Sequence, residues 1–327
     1  MKIGILGTGM ISEQFVSAAQ EISEIECVAV FNRSQEKADL FKAKYHLAQA
    51  FADYEQLLDQ QLIDTVYVGL PNSLHYAYAK QAAEHGLNII IEKPFVSNIQ
   101  EFDELIRITE ERQVKVVEVT RVLSLPNYQV IGEHLSEIGK ISLIFLSYCQ
   151  YSRKYNALLE GGTPNVFSSD FSGGALMDLG VYNIHFIIGL FGIWDKLSYI
   201  AKKRDNEVDL SGILLMEYPD FIVSASQSKN SFCDNQIIIQ GEKGTISVPG
   251  IPSKLDHVYL SDKDQKTLIS VEQSRNNFYY ALSDILHVFH DDQLYQARLA
   301  HSRLVMLTLD QARASAGIVF KADRSDR

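Results

Sequence analysis

The sequence predicts an α/β chain: a doubly wound parallel sheet in its N-terminal part, then an α+β part with a large open, mainly antiparallel sheet. Three observations lead there. From Lys2 to Thr120, short and nearly all-apolar runs alternate with stretches of helical period, as βαβ units on a sheet buried on both faces require. After Arg121 strand-like runs follow one another across short polar turns, which implies antiparallel pairing. At 327 residues the chain also exceeds what one hydrophobic core usually organises, so it reads as two domains, 1–122 and 123–327.

In the first domain, strands are expected at 2–6, 27–31, 65–70, 88–91 and 114–119, each too short and too rich in β-branched residues to favour a helix. Between them, Ile11, Phe15, Ala18 and Ile22 recur at spacings of three and four, and similar stripes run through 36–45, 74–84 and 101–112. The second domain opens with a helix near 127–136 and a strand over 141–151. A glycine-rich loop and a helix over 174–190 follow. Further strands are expected at 197–201, 213–217, 222–227, 236–240, 245–248, 258–260 and 268–271, punctuated by Pro219-Asp220 and Lys243-Gly244. Helices at 276–290 and 296–318 close the chain, and the charged tail 321–327 is expected to fray.

Composition narrows the function classes. Hydrophobic residues at 46% and charged ones at 22% are the balance of an ordinary folded enzyme. The net charge of −11 is spread without a Lys/Arg cluster, which argues against nucleic acid or an anionic membrane as a partner. Cys27, Cys149 and Cys233 lie far apart, with no CxxC and no Cys/His set, so no metal site is expected and the thiols read as reduced structural residues. No stretch is judged to reach the roughly 20 apolar residues that cross a bilayer, and Met1-Lys2 leads straight into a strand without a secretory pattern. A cytoplasmic protein is expected.

The strongest local motif is Gly7-Thr8-Gly9-Met10-Ile11-Ser12, between an apolar strand and an amphipathic helix. In that setting it reads as the phosphate loop of a Rossmann domain binding NAD(P). Gly7 permits the tight turn, Gly9 lets backbone approach a pyrophosphate, Ser12 replaces the third glycine where helix and strand pack closely, and the N–H groups opening the helix bind the anion. The second strand ends in Asn32-Arg33-Ser34, where an NAD-preferring site usually offers an acid to the ribose 2′-hydroxyl. With no acid there, Arg33 is positioned to pair with a 2′-phosphate, Asn32 and Ser34 adding hydrogen bonds, which favours NADP(H) over NAD(H).

The fourth expected strand runs into Glu92-Lys93-Pro94, setting a lysine at the carboxyl edge where open α/β sheets bind ligands. Together with the glycine loop, with Pro71-Asn72-Ser73-Leu74-His75 after the third strand, and with Gly173-Gly174-Ala175-Leu176-Met177-Asp178-Leu179-Gly180-Val181-Tyr182, this resembles the glucose-fructose oxidoreductase, inositol dehydrogenase and MocA-like family. The resemblance spans nearly the whole chain. Many members carry histidine four residues after the aspartate, whereas this chain has Tyr182, as in the branch resembling dihydrodiol dehydrogenase.

The resemblance implies a Rossmann domain, a second α/β domain whose open sheet mediates a homodimer or homotetramer, and a small-molecule substrate. It further implies catalysis by Lys93, Asp178 and Tyr182, the last two on one face of a helical turn. Tyr182 is the expected proton donor or acceptor and Lys93 its helper, since a lysine ammonium beside a tyrosine stabilises the tyrosinate. Leu70, Pro71, Asn72, His75 and Glu92 are expected along the cofactor edge, and Arg121 and His185 are lower-ranked substrate contacts. The implied activity is hydride transfer between nicotinamide and a sugar, polyol or related hydroxy compound. A dinucleotide-sensing regulator without turnover, or an enzyme that oxidises and reduces its cofactor within one cycle, stay open.

Overall fold

The computed structural model describes residues 1–59, 61–204 and 208–324. The chain divides into two units, Met1–Val119 with Phe278–Ser302, and Thr120–Asn277 with Arg303–Arg327. The single boundary expected at 122/123 therefore misses a return of the chain. Phe278, Ala281, Leu282, Ile285 and Val288, one stripe of the helix Asn277–His290, are buried in the core of the first unit. Phe278 meets Phe15 edge-on at 6.1 Å between centroids, and Glu118 accepts a hydrogen bond from Ser302 at 2.6 Å. No local pattern tells such a helix which of two cores it joins.

In the first unit, β1 (Lys2–Leu6), β2 (Glu26–Phe31), β3 (Gln49–Phe51), β4 (Thr65–Val68), β5 (Asn88–Ile91) and β6 (Val116–Glu118) form a six-stranded sheet in the order 3-2-1-4-5-6. Every pairing is parallel. Burial explains the apolar runs: Ile3, Ile5, Val66, Val68, Ile89 and Ile91 are all fully buried, as strands covered on both faces must be. The crossover helices are α1 (Met10–Ala19), α2 (Gln35–Tyr45), α3 (Tyr54–Leu58), α4 (His75–Glu84) and α5 (Ile99–Arg112). Local chemistry starts them, with Ser34 capping α2 and Asn98 capping α5 through Glu101 N–H at 2.9 Å. The sequence reading missed β3 and α3, a half-buried edge strand and a five-residue helix too short for either period to show.

Among the described residues, the second unit holds eight strands in the order β14-β13-β12-β11-β7-β10-β9-β8. They are β7 (Ile141–Cys149), β8 (Lys196–Lys203), β9 (Asp209–Glu217), β10 (Ile222–Ser228), β11 (Gln236–Gly241), β12 (Thr245–Pro249), β13 (Tyr259–Ser261) and β14 (Lys266–Leu268). All neighbours are antiparallel except β7 and β10, which run parallel. The sheet is two-faced. Ile144, Leu146, Leu214, Met216, Val223 and Ala225 are buried on one side, while Leu143, Phe145, Ile200, Ile213, Leu215 and Ile222 are exposed by 36–68% on the other.

Two further expectations need correction. The stretch Ser169–Phe191 is long and apolar enough to cross a membrane, but most of it is buried inside the protein. Residues Lys321–Arg324 do not fray: they form a 3₁₀ turn whose Asp323 accepts from Arg313 at 2.6 Å, while 325–327 lie outside the described residues. Cys27, Cys149 and Cys233 carry free thiols, and Cys149 and Cys233 are neighbours: burial first, then the Cys233 thiol, pushes Cys149 up to about 12.

Candidate active site

The strand order reverses between β1 and β4, and the glycine loop leaves β1 at that switch point. Gly7 takes φ +97°, and a Cβ there would stand 2.7 Å from the Gly69 carbonyl oxygen, so glycine is required for both conformation and space. Gly9 caps α1 without a side chain, and nothing lies within 4 Å of the place a Cβ would take. That open approach to a helix N-terminus fits a pyrophosphate. Met10 is exposed and Ile11 half-buried, whereas Ser12 is fully buried. A Cβ on Gly69 would meet Ser12 Oγ at 2.7 Å, so Ser12 serves helix-to-strand packing and Gly69, not singled out from sequence, is its counterpart.

Asn32 donates to Thr8 Oγ at 2.7 Å and accepts the Ser34 N–H at 3.0 Å, while Ser34 is the α2 cap. Both are thus engaged in shaping the turn. Arg33 is exposed and makes no ion pair among the described residues, which leaves its guanidinium as the group available to a 2′-phosphate.

The Glu92-Lys93-Pro94 turn is built from behind. Glu92 is 4% exposed; its carboxylate accepts from Tyr67 Oη at 3.0 Å and from Lys93 N–H at 3.2 Å. It therefore holds the lysine backbone from behind. The Lys93-Pro94 peptide is cis, and Lys93 is half-buried. His75 is fully buried, with Nδ1 2.9 Å from Pro94 O and Nε2 2.9 Å from Leu70 O. Burial holds its imidazole below the ordinary histidine range, against the pull of those carbonyls. The ring ties the end of β4 to the lysine turn. Leu70, Pro71 and Asn72 stay half-buried along that segment.

In the second unit, Leu176–Gly180 is one wide π turn that runs directly into the helix Val181–Phe191. Such turns often mark functional sites. Its start is fixed by Asp209, which accepts Leu176 N–H at 2.7 Å and Tyr199 Oη at 2.7 Å, and whose carboxyl is raised by burial. Gly174, at φ +118°, has Asp209 Oδ1 2.0 Å from where a Cβ would sit, which explains the glycine of the motif.

That turn presents Asp178 and Tyr182, each against a cation. Asp178 accepts from Lys229, which is 5% exposed and lies 5.8 Å from the Phe167 ring centroid. Tyr182 is 4% exposed, its ring 5.4 Å from that of Tyr148, and its oxygen accepts from Arg121. Arg121, ranked low from sequence, thus meets the tyrosine, and Lys229 was not found at all. Neither contact has a local signature, because the partners lie far apart in the chain. His185 is buried, at 1% exposed, on the helix that carries Tyr182. Lys93 stands in the first unit, Asp178 and Tyr182 in the second. Among the described residues no group of three or more His, Cys, Asp or Glu forms a metal site.

Comparison with known proteins agrees with this architecture. Residues 1–120 match the model of an oxidoreductase family with an NAD-binding Rossmann fold, and 135–247 match the GFO/IDH/MocA C-terminal domain. The chain is 31% identical to an uncharacterized oxidoreductase, YgjR, of Escherichia coli strain K12, over 99% of this chain and 98% of that one. It is 30% identical to the scyllo-inositol 2-dehydrogenase (NADP(+)) IolU of Bacillus subtilis strain 168, covering 99% and 100%. Its fold is that of KijD10, a 3-ketoreductase from Actinomadura kijaniata, with a TM-score of 0.84 at 20% identity over 98% and 99% of the chains. With identity above 30% across nearly its whole length and both family domains matched in order, the chain belongs to the GFO/IDH/MocA family of oxidoreductases.

Proposed function

We propose that this oxidoreductase is an NADP-dependent dehydrogenase or reductase acting on a CH–OH group of a sugar, polyol or related compound. Tyr182 exchanges the hydroxyl proton, with Lys93 assisting. The observation that carries the cofactor preference is the exposed Arg33 at the end of β2, where no acid stands and both neighbouring side chains are engaged in the turn. Relatives point the same way: IolU is named for NADP(+), as is a D-xylose 1-dehydrogenase of Haloferax volcanii 28% identical over 65% of this chain.

Bound nicotinamide supplies the hydride acceptor or donor. Gly7 and Gly9 admit the pyrophosphate to the α1 N-terminus, and Arg33 pairs with the 2′-phosphate. Tyr182 Oη takes the proton as an alcohol is oxidised and returns it when a carbonyl is reduced. Asp178, fixed by Lys229, orients a substrate hydroxyl by accepting its hydrogen bond. The retained lysine, aspartate and tyrosine speak against a pure dinucleotide sensor.

The test follows reduced-nicotinamide absorbance with scyllo-inositol, D-xylose and trans-dihydrobenzenediol as probes, for wild type, Tyr182→Phe, Lys93→Met and Arg33→Ala. The two catalytic-site variants should lose turnover, and Arg33→Ala should lose preference for NADP(+) over NAD(+). Full activity in the first two would refute the proton assignment, and an unaltered preference in the third would refute the cofactor assignment. We also propose that the exposed face carrying Phe145, Ile213, Leu215 and Ile222 joins copies of this chain, since a contiguous apolar sheet face marks an interface. Light scattering that finds a monomer at micromolar concentration would overturn it.

A further inference from the structure

Resting on the reading of Tyr182 as the proton-exchanging residue, we propose that Arg121 is its positioning and charge partner. The guanidinium holds the phenol oxygen in place and stabilises the phenolate once the proton has left. The observations that carry this all lie within the second unit. Arg121 donates to Tyr182 Oη, and its Cζ is 5.2 Å from the tyrosine ring centroid, so the cation reaches both the oxygen and the ring. Tyr182 is 4% exposed and flanked by Tyr148, which confines the phenol and shields the contact from water, where a charge-assisted hydrogen bond is stronger. Asp178, on the same turn, already has Lys229 as counter-ion, so the arginine is not needed there.

An arginine cannot give up its proton in a protein. Arg121 therefore supplies charge and direction and takes no part in the transfer itself. On oxidation the substrate O–H bond breaks and a Tyr182 O–H bond forms, while the two electrons of the carbinol C–H leave as hydride to oxidised nicotinamide. On reduction each movement reverses. The anionic form of Tyr182 exists on one side of that exchange only, and Arg121 favours it there.

Arg121→Ala, Arg121→Lys, Tyr182→Phe and the Arg121→Ala/Tyr182→Phe double variant are compared for kcat and KM on the fastest of the three probe substrates. Thermal melts establish folding. Arg121→Ala should lose about 10- to 100-fold in kcat with KM little altered, the range expected for one hydrogen bond to a charged group. The double variant should be no slower than Tyr182→Phe alone. Added ethylguanidinium should restore part of the Arg121→Ala rate and none of the Tyr182→Phe rate, which a merely structural arginine would not allow. If Arg121→Ala does not fold, the cycle is run with Arg121→Lys, whose single ammonium lacks the planar fork. A raised KM with kcat intact would make Arg121 a substrate contact, and additive losses would separate it from the tyrosine. Either overturns the inference and leaves Tyr182 standing. Full activity of Tyr182→Phe, or no turnover of any probe by wild type, overturns the reading beneath it, and the inference with it.

Discussion

Replacing His75 by leucine tests whether this histidine is a brace or a cofactor contact. The residue is fully buried, and its two ring nitrogens stand 2.9 Å from Leu70 O and 2.9 Å from Pro94 O. Leucine is apolar and of broadly similar bulk, so little cavity cost is expected. The loss is that of hydrogen bonds to two carbonyls in the interior, at about 1–3 kcal/mol for each buried group left unsatisfied. Because a neutral ring donates from one nitrogen only, the lower half of the summed range applies, about 2–4 kcal/mol. Urea unfolding measures that loss.

The pH dependence gives a second reading. Burial lowers the folded imidazole below 6.5, so in the acid range the unfolded chain binds a proton that the folded chain refuses. Stability from this group is complete above 6.5 and declines as pH falls from there towards the lowered folded value. His75→Leu should remove that part of the slope, leaving the contribution of the other histidines. Activity should fall as well, because the ring holds the turn that carries Lys93. A loss of stability below about 0.5 kcal/mol, the size of an ordinary surface change, together with an unaltered pH slope would refute the reasoning.

Gly9→Ala should leave the melting temperature unchanged while weakening NADP(+) binding in calorimetry, since its Cβ meets nothing in the protein. Gly7→Ala, at φ +97° and against the Gly69 carbonyl, should by contrast destabilise by about 1–3 kcal/mol in urea unfolding. Asp209→Ala removes the acceptor of Leu176 N–H and Tyr199 Oη, and should cost about 2–5 kcal/mol in the same assay and lower kcat by loosening the turn before Asp178. Lys229→Met takes away the counter-ion of Asp178; steady-state kinetics should show kcat/KM lower by about 10-fold or more, in keeping with the loss of a charge-assisted hydrogen bond.

Much of the first unit was legible along the chain. Strands buried on both faces must be nearly continuous apolar runs, and crossover helices must carry stripes at their own period, so Ile3 to Leu6 or Phe102 to Ile108 announce themselves locally. The glycine loop was equally readable, because its chemistry lies in the backbone of six consecutive residues. Arg33 and Lys93 stood out by residue type at a marked position, and Asp178 and Tyr182 through the motif that carries the family resemblance.

What tertiary structure decided is everything that depends on which distant residue comes alongside. It set His75 and Glu92 as braces behind the Lys93 turn, and it buried His185. Arg121 was brought onto Tyr182, Lys229 onto Asp178 and Asp209 under the π turn. The helix Asn277–His290 was returned to the first core although it follows the second sheet in the chain. The sequence alone showed the period of the longer elements and the motifs that carry Lys93, Asp178 and Tyr182, because those are properties of neighbouring residues. Partner choice for a buried charge or an apolar stripe comes from competition among all the surfaces of the folded chain, and no single segment contains that information.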